Sequence, residues 1–208
     1  ECLVFGDVTV YELRGEYQIR VKHILQDGLG NLRMQFEHLK QKLLAEGLFE
    51  EEKKQALPKF AVNIGIVTSS EGAALQDFIS ILKRRGWKGN IFVFGSNVQG
   101  QHAPEELICA LAKAAEFPGI ELIVLARGGG SVEDLWSFNN EPLIRAVFAC
   151  PIPTISAIGH QTDFVLTDFV ADFRAETPSA AAEWISSEFL LLNDKYQELE
   201  KKLIDLPS

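Results

Sequence analysis

Four short runs, 61–67, 90–94, 121–126 and 153–158, are apolar at nearly every position, rich in β-branched residues and separated by segments with helical spacing. Strands that are apolar on both faces are strands covered on both sides, as in parallel sheets. Their alternation with helices is the signature of repeated βαβ units. The sequence therefore predicts an α/β fold, a mostly parallel open sheet flanked by helices. The helices are expected over 72–85, 104–116, 132–149 with a break near Asn140, and 163–172. In open sheets of this kind ligands bind outside the carboxyl ends of the strands. The residues that follow each strand are the first place to look for chemistry, and here they are polar and small.

Two flanking regions read differently. Over 3–24, Val8 and Val10 share one face and Tyr17, Ile19 and Val21 another, with Arg14 and Gly15 at the turn, which predicts a hairpin. Two strands alone are marginal in water, so the hairpin is expected to pack either on something outside this sequence or on the domain that follows. Leu32, Phe36, Leu39 and Leu43 then mark an amphipathic helix that Gly47 stops. At the other end, Thr177 is a candidate N-cap with Pro178 at the first helical position. Ile185, Phe189, Leu192, Tyr196, Leu199, Leu203 and Leu206 follow a four-three alternation beyond it, the seam of a coiled coil or long helix. Such a helix can dock on its own domain, but strict register favours an extended arm that binds a partner. The expected division is a β region over 1–29, a linker helix over 30–57, the α/β domain over 58–176 and the start of a C-terminal coiled-coil helix over 177–208.

With 208 residues and a 47% hydrophobic share, the chain can bury a real core. It has no run of about 18 apolar residues to cross a bilayer and no secretory leader at its start. The three cysteines, Cys2, Cys109 and Cys150, are widely spaced in apolar surroundings and read as buried free thiols of a reducing compartment, which points to the cytoplasm. The chain opens on Glu1 and stops inside a helical pattern, so a fragment of a longer protein is expected. A net charge of −9 argues against a basic protein that coats nucleic acid, since such binding rests on phosphate neutralisation by Lys and Arg. Any contact must be local. Lys83-Arg84-Arg85-Gly86-Trp87-Lys88 offers one candidate, with Arg84 and Arg85 beside a ring that can stack on an unpaired base. The same cations also suit a helix end, where they complement its dipole.

The third run is followed by Arg127-Gly128-Gly129-Gly130-Ser131 and then Val132-Glu133-Asp134. This is a glycine turn feeding a helix start, whose exposed N–H groups, together with the forked guanidinium of Arg127, can hold a phosphate. A plain tight turn with Ser131 capping a helix is the competing reading. After the fourth run come His160 and Asp163, three apart at a helix start. A histidine there can move a proton, and a carboxylate beside it can fix its tautomer. Asp77, on the helix after the first run, is unremarkable by pattern alone. Asp168 and Asp172 share a helix face and could join Asp163 around a cation, but water-facing carboxylates are the simpler expectation. No Cys or His cluster has zinc spacing.

Arg127 through Asn139, Gly159-His160-Gln161-Thr162-Asp163, Val170-Ala171-Asp172 and Thr177-Pro178-Ser179-Ala180-Ala181-Ala182-Glu183, taken in order, closely resemble the exodeoxyribonuclease VII large-subunit family. Tyr17-Gln18, Glu46-Gly47-Leu48-Phe49, Thr68-Ser69, Gly72-Ala73-Ala74 and Val98-Gln99-Gly100 fall where that family has similar words. Gln161 and Glu176 depart from it, standing where Glu and Pro are common. The resemblance implies a nuclease that hydrolyses single-stranded DNA to oligonucleotides from either end, with a small helical subunit as partner on the C-terminal arm and the first strands as the end of an OB-fold. It also implies catalytic roles for Asp77, Arg127, His160 and Asp163, with Gly128, Gly129, Gly130 and Ser131 on the phosphate. A divalent metal at Asp77 and Asp163 is compatible with the sequence but not required by it. Two other functions fit the same strand-end groups, a metal-assisted phosphoesterase on a small ester and a non-catalytic phosphate- or nucleotide-binding regulator.

Overall fold

A computed structural model of the chain describes residues 2–11, 15–159 and 164–204 and divides into two units, Glu1–Glu46 and Gly47–Ser208. In the first unit, β1 (Cys2–Tyr11) and β2 (Glu16–Gln26) form the expected hairpin, antiparallel with Val8 opposite Ile19 and Val10 opposite Tyr17. Val8, Tyr17 and Ile19 are 71%, 83% and 60% exposed. The helix α1 (Asp27–Ala45) follows, and Gly47, at φ 73°, supplies the left-handed turn past its end.

The second unit runs β3 (Asn63–Thr68), α2 (Ala73–Arg84), β4 (Asn90–Gly95), α3 (Ala103–Glu116), β5 (Leu122–Arg127), α4 (Val132–Leu135), α5 (Glu141–Phe148), β6 (Thr154–Ile158), α6 (Leu166–Val170), β7 (Phe173–Arg174) and α7 (Pro178–Ile204). Its sheet is parallel throughout, in the order β4-β3-β5-β6-β7. The α/β class is thus as expected. From β3 the chain steps to β4 on one side, then returns across β3 to β5 on the other. The strand order therefore reverses between β3 and β5, where a crevice opens at the carboxyl ends of the strands.

Alternation sorts the side chains. Ile64 and Ile66 of β3, Leu122, Val124 and Ala126 of β5, and Ile155 and Ala157 of β6 pack with Leu75, Phe78 and Leu82 of α2 and Ala181, Ala182 and Ile185 of α7. The intervening residues, Ile123 and Leu125 among them, face the other layer and are equally buried, as are Leu107 and Leu111 of α3 and Leu143, Ile144 and Val147 of α5. Thr177 caps α7 as predicted, its hydroxyl accepting from the Ala180 N–H at 3.0 Å. The first turns of α7 are docked on the sheet and α2, whereas Leu191, Leu192 and Tyr196 further along are 57%, 49% and 65% exposed.

Several expectations change. There are five strands in the sheet rather than four, because β7 is two residues long and carries no periodic signal. The strand over 90–94 lies at the sheet edge and is only partly buried. The helical stretch over 132–149 is broken as foreseen, with a 3-10 turn at Trp136–Asn139 before Asn140 caps α5. That expected over 163–172 shortens to α6. Cys109 is exposed and only Cys150 is buried, while the side chain of Cys2 is outside the description. Among the described residues no helix is long and apolar enough to cross a membrane.

Candidate active site

The crevice at the order reversal is a cleft of about 380 Å³ lined by the turns after β3, β4 and β5. Thr68, Ser69 and Gly72 through Ala74 form one wall, Asn97 to Gln99 another, and Arg127 to Gly129 a third. Each wall is built locally. On the second, the Glu106 carboxylate of α3 accepts from both the backbone and the side-chain N–H of Asn97, each at 3.0 Å. Those bonds, the backbone one first, hold Glu106 below the usual carboxylate range.

Arg127 is the last residue of β5 and is 5% exposed. Nη2 donates to Gln99 Oε1 at 3.0 Å and stands 3.5 Å from Asp134 Oδ2, and Nη1 donates to the Gly128 carbonyl at 3.0 Å. Its Nε, also buried, has no partner among the described residues. Burial lowers the guanidinium pKa, with Asp134 opposing, but arginine starts so high that it stays charged. The result is a fixed, nearly buried cation that lines the cleft.

The glycines of the turn have distinct reasons. A β-carbon at Gly130 would overlap the Arg127 guanidinium, so that position is kept clear by the arginine. Among the described residues a β-carbon at Gly128 would meet nothing within 4 Å, and Gly128 is not at positive φ. Neither packing nor backbone conformation demands glycine there, and the open space beside it belongs to the cleft. Ser131 caps α4: its hydroxyl accepts from Asp134 N at 3.3 Å, and its own N–H donates to Asp134 Oδ2 at 3.2 Å. The Ser131 amide is thus engaged in a capping box.

Of the other residues singled out in the sequence, Asp77 is exposed on α2, four residues after Ala73 and so on the same helix face as that cleft-lining residue. Arg84 and Arg85 end the same helix, about 16 Å of helix length from its amino terminus, with Arg84 3.8 Å from Glu183 of α7 and Trp87 packed against the core. The structure does not bring these two to the cleft. His160 and Asp163 lie outside the described residues; the strand before them, β6, ends at Ile158, the register partner of Arg127.

Asp168 and Asp172 are not the water-facing carboxylates expected. Asp168 is 4% exposed, and accepts from Ser156 Oγ at 2.5 Å, Val165 N at 3.1 Å and Arg174 Nε at 3.2 Å. Burial, countered in part by those bonds, raises its pKa. Asp172, past the end of α6, takes the Gln55 and Thr154 N–H groups at 2.6 and 2.7 Å. Both tie segments of the chain together. No group of three or more His, Cys, Asp or Glu that could hold a metal occurs among the described residues. Sequence reasoning did not single out Thr68, which ends β3, Gln99, which follows β4, or Asp134 of α4 as site residues.

Residues 48–206 match the family model described as "Exonuclease VII, large subunit". The exodeoxyribonuclease 7 large subunit of Bacillus cereus (strain AH187) is 47% identical over 195 residues, covering 94% of this chain and 43% of that protein. That of Legionella pneumophila (strain Corby) is 51% identical over 182 residues, covering 88% and 41%. The chain therefore spans under half the length of these curated relatives.

Proposed function

Because the chain belongs to the exonuclease VII large-subunit family, we propose that its cleft cuts phosphodiester bonds of single-stranded DNA, releasing oligonucleotides from either end as part of a two-subunit enzyme. The observation that carries this reading is Arg127, buried and charged at the switch-point crevice beside the open space of Gly128. In the proposed mechanism a backbone phosphate settles on the Arg127 guanidinium and the amides of the glycine turn. They neutralise charge on its non-bridging oxygens as the attacking and leaving oxygens pass in line. His160 moves the proton, Asp163 orients His160, and Asp77 positions the attacking water or shares a divalent ion with Asp163.

The net charge of −9 suits a local grip on the strand better than a basic coat. Exposed Val8, Tyr17 and Ile19 support reading the hairpin as the end of an OB-fold, with the α/β domain as the catalytic part. Exposed Leu191, Leu192 and Tyr196 support reading the later turns of α7 as the start of an arm for a small helical subunit. Arg84 and Arg85 would then guide the strand away from the cleft, and the enzyme works in the cytoplasm. The test is digestion of end-labelled single- and double-stranded DNA by the full-length protein with its small subunit, with and without chelator, beside His160→Ala. Loss of single strands alone, abolished by the substitution, is expected. Persistence of both DNAs with a folded complex would overturn the reading and leave a phosphate-binding regulator in its place.

A further inference from the structure

We infer that the α2 wall of the cleft is a second phosphate-binding position, in which the Thr68 hydroxyl and the first N–H groups of α2 hold the phosphodiester next to the one at Arg127. This rests on the reading of the cleft as a nuclease site and adds the placement of the strand.

Three observations meet there. Thr68 is 1% exposed, lines the cleft, and its hydroxyl has no hydrogen-bond partner among the described residues. A buried hydroxyl left so is costly unless a ligand or water satisfies it. Second, α2 is twelve residues long and no side chain caps it; its N-cap is Gly72, and Ser69 stands 3.3 Å from where a β-carbon there would be, so a capping side chain is crowded out. Ala73 and Ala74, the first residues of α2, line the cleft and leave its N–H groups to an anion, which the helix dipole favours. Third, alternation along the strands puts Thr68 with Ile64 and Ile66 on the α2 face, and Arg127 with Ile123 and Leu125 on the other. The two donor sets thus stand on opposite sides of adjacent strands about 4.8 Å apart, in a cleft larger than one phosphate fills. A single strand crossing the crevice meets both in succession, with Asp77 one turn beyond Ala73.

The test uses Thr68→Val, which keeps the shape and removes the hydroxyl, and Thr68→Ser, which keeps the hydroxyl, in the full-length protein with its small subunit. The kcat/KM on end-labelled oligothymidylate is expected to fall about tenfold for Thr68→Val, mainly through KM, and to stay within about threefold for Thr68→Ser. The melting temperature of Thr68→Val should not fall, since an unpaired buried hydroxyl is removed. An unchanged KM in Thr68→Val, or equal losses in both variants, would overturn the inference. A second readout is the rise in melting temperature on adding inorganic phosphate, expected to be smaller for Thr68→Val than for wild type; equal rises would overturn the inference. Absence of digestion by wild type would instead sink the nuclease reading, and the phosphate arm still decides the role of Thr68.

Discussion

The guanidinium of Arg127 occupies the space that a side chain at Gly130 would need. Arginine and glycine three residues apart are therefore one device: the turn is bare so that the cation can fold back into the cleft, where Gln99 and Asp134 hold it. Gly130→Ala should push the guanidinium from its seat, lowering kcat/KM on single-stranded DNA at least tenfold, with a stability cost of about 1 kcal/mol from the lost bonds to Gln99 and Gly128. Gly128→Ala faces open space and should leave stability within about 0.5 kcal/mol, while lowering kcat/KM because the new methyl enters the space assigned to the phosphate. Melting curves and digestion rates of the two variants check the contrast.

Asp134 has two tasks that substitutions can separate. Asn at this position keeps an oxygen for the Ser131 N–H but removes a negative charge 3.5 Å from Nη2 of Arg127. Asp134→Asn is expected to lower KM by about threefold, since a carboxylate that competes with phosphate is gone. Asp134→Ala also loses the capping box and should be about 1 kcal/mol less stable than wild type. A KM that rises in Asp134→Asn would mean that the carboxylate places the arginine rather than competing with substrate.

Asp168 makes a pH-dependent contribution of predictable sign. Its folded-state pKa is raised, chiefly by burial, so the folded protein holds this proton more tightly than the unfolded chain. That contribution is fully present below the ordinary Asp value near 4 and is lost as pH rises through the raised folded value. The stability difference between wild type and Asp168→Asn should therefore shift against wild type from about pH 3.5 to 7, read from urea midpoints at each pH. A difference that shifts in wild type's favour would show that Ser156, Val165 and Arg174 outweigh burial.

Much of this architecture can be read from local pattern, and the remainder has identifiable causes. Runs apolar on both faces report covered strands wherever they fall, and the Arg127–Ser131 turn stands out by composition alone. Strand order leaves no local trace, since β3 pairs with β4 and β5 through contacts distant in sequence, so the crevice could be assigned to strand ends but not to the gap between β3 and β5. Thr68 and Gln99 carry no local mark of a site, since nothing in a sequence says which hydroxyl will lack a partner or which amide will meet an arginine. Asp168 reads as a surface carboxylate from sequence because its partners, Ser156 and Arg174, lie on neighbouring strands.

The central claim is that Arg127 carries the transition-state charge in this cleft, and Arg127→Lys tests it most directly. Lysine keeps one positive charge but loses the planar fork and its bonds to Gln99 and Gly128. In the full-length protein with its small subunit, kcat on end-labelled single-stranded DNA should fall about 100- to 1,000-fold in a protein that still folds, with no gain of activity on duplex DNA. Digestion at the wild-type rate by a folded Arg127→Lys protein would contradict the account and move the chemistry away from this turn.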